Sequence, residues 1–410
     1  MTSDPSRSAA SIFLFSLFAW TVSNLDQSLF GYAVPGIATE FGVGLETIGL
    51  ILSVSFATAA ILVIFAGLAA DRYGRRYTLA AVLAGSALFV GLHGYATTPM
   101  RLLVLRSLAF GLAAGVAPIT SVYVAEAAPA RHRGLWMGIL QCGYPLGWFL
   151  ASLIAAPLLA SHGWRSIFLV GFAVVPIALL IAWRLPESDR FARIAKNRRA
   201  GGGLNFALLG ALFSHEYRRR SLLCLLLFFT FGCAYAGTAF YFPTFFVSVR
   251  GYTPAEAATL VGSSNGIAVL GYLLAAIVGE YVWNRRNTYA LWCAIGAVAL
   301  LGLMWIPATR SADLAFFAIT GAFFYGSNAV VGTLLADLYP TSMRATAYAV
   351  CGSAPLSVGF AVYPAIVPLV VASVGWQQAF SVAVVPVLML SALTALWLPS
   401  LRSGEELADS

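Results

Sequence analysis

Charge is what this sequence has least of. Only 10% of its 410 residues are Asp, Glu, Lys or Arg, against about 25% in an average soluble domain. With 60% hydrophobic residues, a soluble fold would lack the polar groups to cover its surface, so a water-soluble class is excluded. Lysine is almost missing. Lys196 is the single one among 24 basic residues, and the other 23 are Arg. These fall in short loops between apolar runs and not in one patch, which speaks against a nucleic-acid partner. The five cysteines, Cys142, Cys224, Cys233, Cys293 and Cys351, all lie in apolar runs without a CxxC pair. Neither a disulfide framework nor a metal site is expected. His93, His132, His162 and His215 sit at loops or helix ends, poorly placed for a relay at the membrane midplane. There is no GxSxG, phosphate loop, paired catalytic carboxylates or zinc spacing, so the chain reads as no enzyme, with no cofactor.

What the sequence does have is continuous apolar runs. Charge clusters, Pro and Gly divide them into spans near 10–38, 45–70, 77–96, 100–128, 134–160, 164–185, 220–248, 255–282, 288–307, 312–337, 343–372 and 375–399. Each is long enough to cross a hydrocarbon core of about 30 Å. A porin-like barrel would instead alternate over ten-residue segments. The expected class is an all-α integral membrane protein with a lipid bilayer around it. The N-terminus reads as a retained first helix, without a signal-peptide cleavage site. Five basic residues, Arg101, Arg106, Arg165, Arg250 and Arg310, lie on or toward one side, which leaves 19 of the 24 on the other. By the positive-inside rule both termini and the central connector are cytoplasmic, in the inner (cell) membrane of a bacterium. The connector, 186–219, separates a first bundle, 1–185, from a second, 220–410. Its "LNFALLGALF" has the make-up of a short interfacial helix.

The two halves repeat one another. Glu126, Pro129 and Arg133 recur as Asp337, Pro340 and Arg344 at a constant offset of 211. Trp164 and Phe168 recur as Trp376 and Phe380, and Pro186 as Pro399. An offset of 211 to 213 held over some 60 residues indicates duplication. Six spans per half is an even number, so the halves enter the membrane in the same direction. Parallel six-helix repeats place a binding site near the midplane between them.

After the second span comes "GLAADRYGRRYTL". Gly67, Asp71, Arg72, Gly74, Arg75 and Arg76 resemble the Gly-x-x-x-Asp-Arg-x-Gly-Arg-Arg signature of the major facilitator superfamily. The second half keeps a partial copy, Gly279, Arg285 and Arg286. The resemblance implies twelve transmembrane helices in two parallel six-helix bundles and transport by alternating access. It also implies a cytoplasmic gate of Asp71, Arg72, Arg75, Arg76, Glu126, Arg133, Asp337 and Arg344, in which arginines pair with Glu126 and Asp337 and latch the halves when the inward side is closed. "LRSLAFGLAAGVAPITSVYVAEAAPARHRG", residues 105–134, and span 5 are similar to metabolite:proton symporters of the sialate/lactate and aromatic-acid types. Aromatic-acid symporters carry two acids three apart in span 1; here Ser23 replaces the upstream one. Drug antiporters join Gly and Pro in span 5; here Tyr144 separates Gly143 from Pro145.

Two ionisable residues lie well inside spans, Asp26 and Arg106. Each costs on the order of 2.5–3.5 kcal/mol at a helix centre. Their counterparts in the second half are the uncharged "CAYAGTAF" and Phe316 or Phe317, so the fold itself does not demand them. One reading is a buried Asp26–Arg106 pair bracing spans 1 and 4. The other is a proton site at Asp26 and an anion site at Arg106, since Arg keeps its charge and matches a carboxylate. Desolvation favours a neutral acid and a nearby guanidinium favours the carboxylate, so an Asp meeting Arg in one conformation would exchange a proton each cycle. One proton with a monoanion is electroneutral; a second proton would add about 2.3 kcal/mol per 100 mV.

Polar and aromatic side chains at helical spacing complete a candidate cavity: Asn24 and Gln27, Gln141, Tyr144 and Trp148, Asn265, Tyr325 and Asn328. Tyr272 lies a heptad from Asn265. The rings suit a planar or sugar-like solute. The expectation is a monomeric proton-coupled symporter of a small carboxylate. The alternatives are a proton-driven drug or metabolite exporter and a non-transporting sensor; the buried charges favour transport.

Overall fold

The computed structural model describes residues 5–129, 132–185, 210–306, 309–340 and 343–400. The first part of the expected connector (186–209), the basic residues Arg131 and Arg402, and the side chains of Arg7 and Asp71 lie outside that description. Among the described residues, twelve helices are long and apolar enough to cross a membrane. They are α1 (Ala9–Phe41), α2 (Leu45–Ala70), α3 (Arg75–His93), α4 (Pro99–Ala127), α5 (Arg133–Ser161) and α6 (Trp164–Ile181). The second half supplies α7 (Arg218–Ala236), α8 (Pro254–Val282), α9 (Arg285–Trp305), α10 (Arg310–Asp337), α11 (Tyr348–Val374) and α12 (Trp376–Leu396). In lipid, helices satisfy every backbone group internally, so the apolar runs have no competing structure.

Polar residues set the helix starts. Thr98 accepts from the Arg101 amide and Thr309 from the Ala312 amide, each at 3.2 Å. Thr253 and Glu256 form a reciprocal capping box ahead of α8, with Pro254 at the first helical position. The 220–248 run departs from expectation. It is helical to Ala236, turns over residues 237–241 and resumes as the short helix Phe242–Ser248. Pro243 cannot donate to a continuing helix. Polar groups also hold the turn: Thr238 Oγ1 lies 2.9 Å from the Ala234 carbonyl, and Tyr241 Oη donates to the Pro364 carbonyl at 2.6 Å. α10 likewise tightens into a 3-10 turn at Tyr325–Ser327.

The basic face shows the duplication in side-chain detail. Gly74 turns the chain between α2 and α3 with φ of 99°, a conformation that favours glycine. Arg75 then pairs with Glu126 at the end of α4, and Arg285 pairs with Asp337 at the end of α10. Arg76 donates to the Leu185 carbonyl just beyond α6 (3.4 Å), and Arg286 to the Leu398 carbonyl just beyond α12 (2.9 Å). The second half adds Glu280, which shares Arg285 with Asp337. On the opposite face, Arg165 of α6 holds Glu40 and the carbonyls of Gly94 and Ala96. There Arg250 meets Asp313 at 3.2 Å, and Tyr252 Oη donates to the same carboxylate at 2.8 Å.

The halves meet along α5 with α8 and along α2 with α11. Near the face opposite the basic one the approach is close. A Cβ on Gly49 would lie 2.2 Å from the Pro364 carbonyl oxygen, and one on Gly262 would lie 2.1 Å from Ser152 Cβ. Further along, the rings of Phe56 and Phe360 are 5.1 Å apart. Beyond that level the basic-face ends of α2 and α11 turn large side chains outward, with Phe65 61% and Tyr348 48% exposed. The halves therefore pack closely on the side away from the basic loops, and α5 also meets α8 closely at the basic end, where a Cβ on Gly138 would lie 2.6 Å from Ala276 Cβ.

Two outcomes follow from this packing. Gly49→Leu should hold α2 off α11 and open the far side. In a background without the native cysteines, a Cys at position 56 should then label several-fold faster with an impermeant maleimide added from that side. Arg285→Ala should lower stability by about 2–3 kcal/mol, because it leaves two part-buried acids facing each other with only Arg344 near Asp337 to offset them. Arg75→Ala, which strands one acid, should cost less when both are melted in detergent.

Candidate functional site

Asp26 sits at the middle of α1 and is fully buried. Neither of its carboxylate oxygens has a hydrogen-bond partner among the described residues. Arg106, two turns into α4, is 1% exposed, and none of its three guanidinium nitrogens has a partner. The two are thus not a salt bridge, and the bracing pair allowed by the sequence is not formed in this conformation. Aromatic faces hold the guanidinium instead. Its carbon lies 4.4 Å from the Phe30 ring centre, 5.1 Å from Phe110 and 5.5 Å from Phe240. Phe30 is one helical turn from Asp26, and Phe110 is one turn from Arg106, so both share a helix face with their charged neighbour. Phe240 comes from the turn in the other half. A cation over aromatic faces recovers part of its lost hydration, on the order of 2 kcal/mol per desolvated contact.

From there an aromatic seam crosses to the second half. Phe240 packs on Trp148 at 5.9 Å, Trp148 on Tyr144 at 6.2 Å, and Tyr144 on Tyr235 at 5.3 Å. Tyr235 lies 4.8 Å from Tyr325 and stacks on Phe360 at 5.6 Å. The hydroxyl of Tyr235 is within electrostatic reach of those of Tyr144, Tyr272 and Tyr325. Thr238 anchors the Tyr325 hydroxyl at 2.8 Å. Asn328 Nδ2 donates to Gln141 Oε1 at 3.4 Å, a hydrogen bond between the halves. The expected cavity residues Gln141, Tyr144, Trp148, Tyr325 and Asn328 therefore come together where α5 meets α10 and the α7 turn.

Others are placed elsewhere. Gln27 turns within the first half and donates to Ser86 Oγ of α3 at 3.3 Å. Asn24 and Asn265 spend their amide hydrogens on their own helices, at the carbonyls of Trp20 (2.7 Å) and Val261 (2.8 Å). This is the usual fate of a polar side chain in an apolar span. The gate residues also differ from expectation. Arg75–Glu126 lies wholly inside the first half and Arg285–Asp337 wholly inside the second, because each arginine opens a helix packed beside its own half's acid. These pairs brace each bundle and do not bridge the two. Arg72 and Arg133 are exposed, and Arg344 donates to the Tyr339 carbonyl at 3.0 Å. A contact across the basic face joins His132 Nδ1 to Tyr281 Oη at 2.8 Å.

Sequence reasoning missed Phe30, Phe110, Tyr235, Phe240 and His93. A signal for Tyr235 was present: it lies in the "CAYAGTAF" stretch that the repeat aligns with Asp26. His93 closes α3, as a helix end should, yet it is completely buried.

The sequence profile of the Major Facilitator Superfamily matches residues 15–352. The chain is 29% identical to the gallate transporter of Pseudomonas putida over 363 residues, covering 82% of this chain and 78% of that protein. It is 30% identical to the cis,cis-muconate transport protein of Acinetobacter baylyi over 346 residues, covering 82% and 81%. Among solved structures, a D-xylose-proton symporter superposes with a TM-score of 0.75 at 17% identity, covering 97% of this chain and 99% of that one. That likeness establishes the fold alone. The protein is a multi-pass membrane transporter and not an enzyme. With its profile matched across both halves and its twelve helices in the same arrangement, the chain belongs to the major facilitator superfamily.

Proposed function

We propose that the protein carries a small carboxylate, of the planar aromatic or unsaturated kind, together with protons. The observation that carries this is the buried guanidinium of Arg106, which has no acid and no hydrogen-bond acceptor beside it. Such a charge is costly to keep unless a ligand completes it. A carboxylate accepts two parallel N–H bonds from a guanidinium, and rings around it suit a flat apolar body. The relatives named for gallate and muconate both handle carboxylates of that shape.

Asp26 is the proton carrier in this reading. It lies in the same bundle, away from Arg106 in this conformation, with nothing to hold its charge. Loading the carboxylate on Arg106 and a proton on Asp26 leaves a site of reduced net charge. That allows the halves to rock about the α2–α11 and α5–α8 seams. A single chain suffices, oriented with its basic face and both termini in the cytoplasm of a bacterial cell. The bundles, 1–185 and 220–410, move as the two bodies.

Purified protein in liposomes tests this. An inward proton gradient should drive accumulation of labelled benzoates, gallate or muconate. Asp26→Asn should keep exchange of substrate against substrate but lose pH-driven accumulation. Arg106→Lys should lower uptake at least tenfold, because an ammonium lacks the planar fork. Accumulation that persists in Asp26→Asn removes Asp26 from the proton step. Extrusion of dyes with no carboxylate uptake would establish the exporter reading instead.

A further inference from the structure

Three buried ionisable side chains of the first half have unsatisfied polar atoms: Asp26, Arg106 and His93. The first two are absorbed by the reading above. His93 is not. Its ring is fully buried at the end of α3, stacked on Phe168 of α6 at 5.0 Å and set edge-to-face with Phe30 of α1 at 6.3 Å. Phe30 is the same ring that carries the Arg106 guanidinium on it. Cation and imidazole therefore both touch one phenyl ring, the cation over its face and the imidazole edge-to-face.

The imidazole is also fixed in direction. Nδ1 lies 2.6 Å from the Phe89 carbonyl oxygen. A carbonyl only accepts, so Nδ1 carries a hydrogen and the neutral ring offers Nε2 as an acceptor. Nε2 is buried and has no partner among the described residues. The charged groups on the elements around it are Arg106 of α4, Arg165 of α6 with its partner Glu40, and Asp26 of α1. None of them is within ion-pair distance of the ring. Arg165 locks the segment that follows, holding Gly94 O at 2.9 Å and Ala96 O at 2.6 Å, while the Ala96 amide donates back to the His93 carbonyl. The repeat places Leu303 or Met304 at the matching position, so the helix end does not require an imidazole.

We propose that His93 is a specificity-determining residue: its Nε2 accepts a hydrogen bond from a hydroxyl on the substrate, at the end remote from the carboxylate. An acceptor and a guanidinium that both contact one ring suit a solute carrying a donor and an anion on a single ring. Phe30 holds that place in the closed structure and yields it on binding. A rigid buried acceptor discriminates because a solute without the hydroxyl leaves it unpaired.

The inference rests on the carboxylate reading, and one experiment separates the two. Uptake of labelled benzoate, 3- and 4-hydroxybenzoate and 4-methoxybenzoate is measured in proteoliposomes under an inward proton gradient. Wild type should take at least one hydroxybenzoate about tenfold better than benzoate, and the methoxy compound, which has no donor, should lose that gain. His93→Phe should erase the preference while still transporting benzoate, and His93→Gln, whose amide oxygen can accept, should restore part of it. His93→Asn, which keeps a donor for Phe89 but has no acceptor at Nε2, should behave like His93→Phe and serves if the latter does not reconstitute. Equal uptake of all four acids by wild type, or a preference that survives in His93→Phe or His93→Asn, overturns the role of His93 and leaves the carboxylate reading standing. No uptake of any acid by wild type overturns the carboxylate reading itself.

Discussion

A guanidinium keeps its proton at any pH a cell meets, so burying Arg106 means burying a full positive charge. Most proteins answer such a charge with a carboxylate. This one has an unpaired carboxylate in the same bundle, Asp26, and does not bring it to Arg106 in the closed form. Three aromatic faces surround the guanidinium instead, two from its own half and one from the other. Quadrupoles offset only part of the lost hydration. The remainder is a standing free energy. On the proposed function a bound anion relieves it: an apolar solute would gain nothing there, a cation would be repelled, and a carboxylate would complete the pair.

The two halves share a skeleton and divide the chemistry. On the basic face the duplicated arginines make the same contacts twice, Arg75 and Arg285 to an acid, Arg76 and Arg286 to a carbonyl beyond the sixth helix of each half. These interactions belong to the fold. Within the spans the copies diverge. The first half holds Asp26, His93 and Arg106; the second puts apolar or small residues at the matching places and gathers Tyr235, Tyr272 and Tyr325. Duplication supplied two equivalent bundles, and one became the carrier of charge while the other became an aromatic wall against it.

That division explains what could be read in advance. Helix number, the repeat and the Arg-rich loops are one-dimensional properties, so the twelve spans and the paired halves were legible from apolar length and offset alone. Asp26 and Arg106 were legible because a charge in an apolar run is conspicuous. Their surroundings were not. Phe30, Phe110 and Phe240 are ordinary residues in sequences rich in Phe, and only packing shows that they share one guanidinium. The break in α7 was hidden because "AGTAFYFP" is as apolar as a helix, although Pro243 marks where a turn can form. The arginine–acid pairs were legible too: the repeat pointed to Glu126 and Asp337, and Arg75 and Arg285 meet them. That each pair closes within its own bundle was not, because spacing does not say which helices pack side by side.

The α7 turn is where the two halves become coupled. Residues 237–241 leave the helix, Thr238 anchors Tyr325, Tyr241 binds the Pro364 carbonyl beside Gly49, and Phe240 is left over Arg106 and against Trp148. A single short segment of the second half thus touches the charged group of the first half, the α2–α11 seam and the α10 turn. Moving the halves apart on that side must withdraw Phe240 from Arg106 and expose the guanidinium to whatever enters. Whatever binds the guanidinium in turn changes the free energy of returning Phe240 to it. Linkage makes those two statements one: the occupancy of Arg106 and the closure of the far side share a single contact, so a ligand acting on either is felt at both.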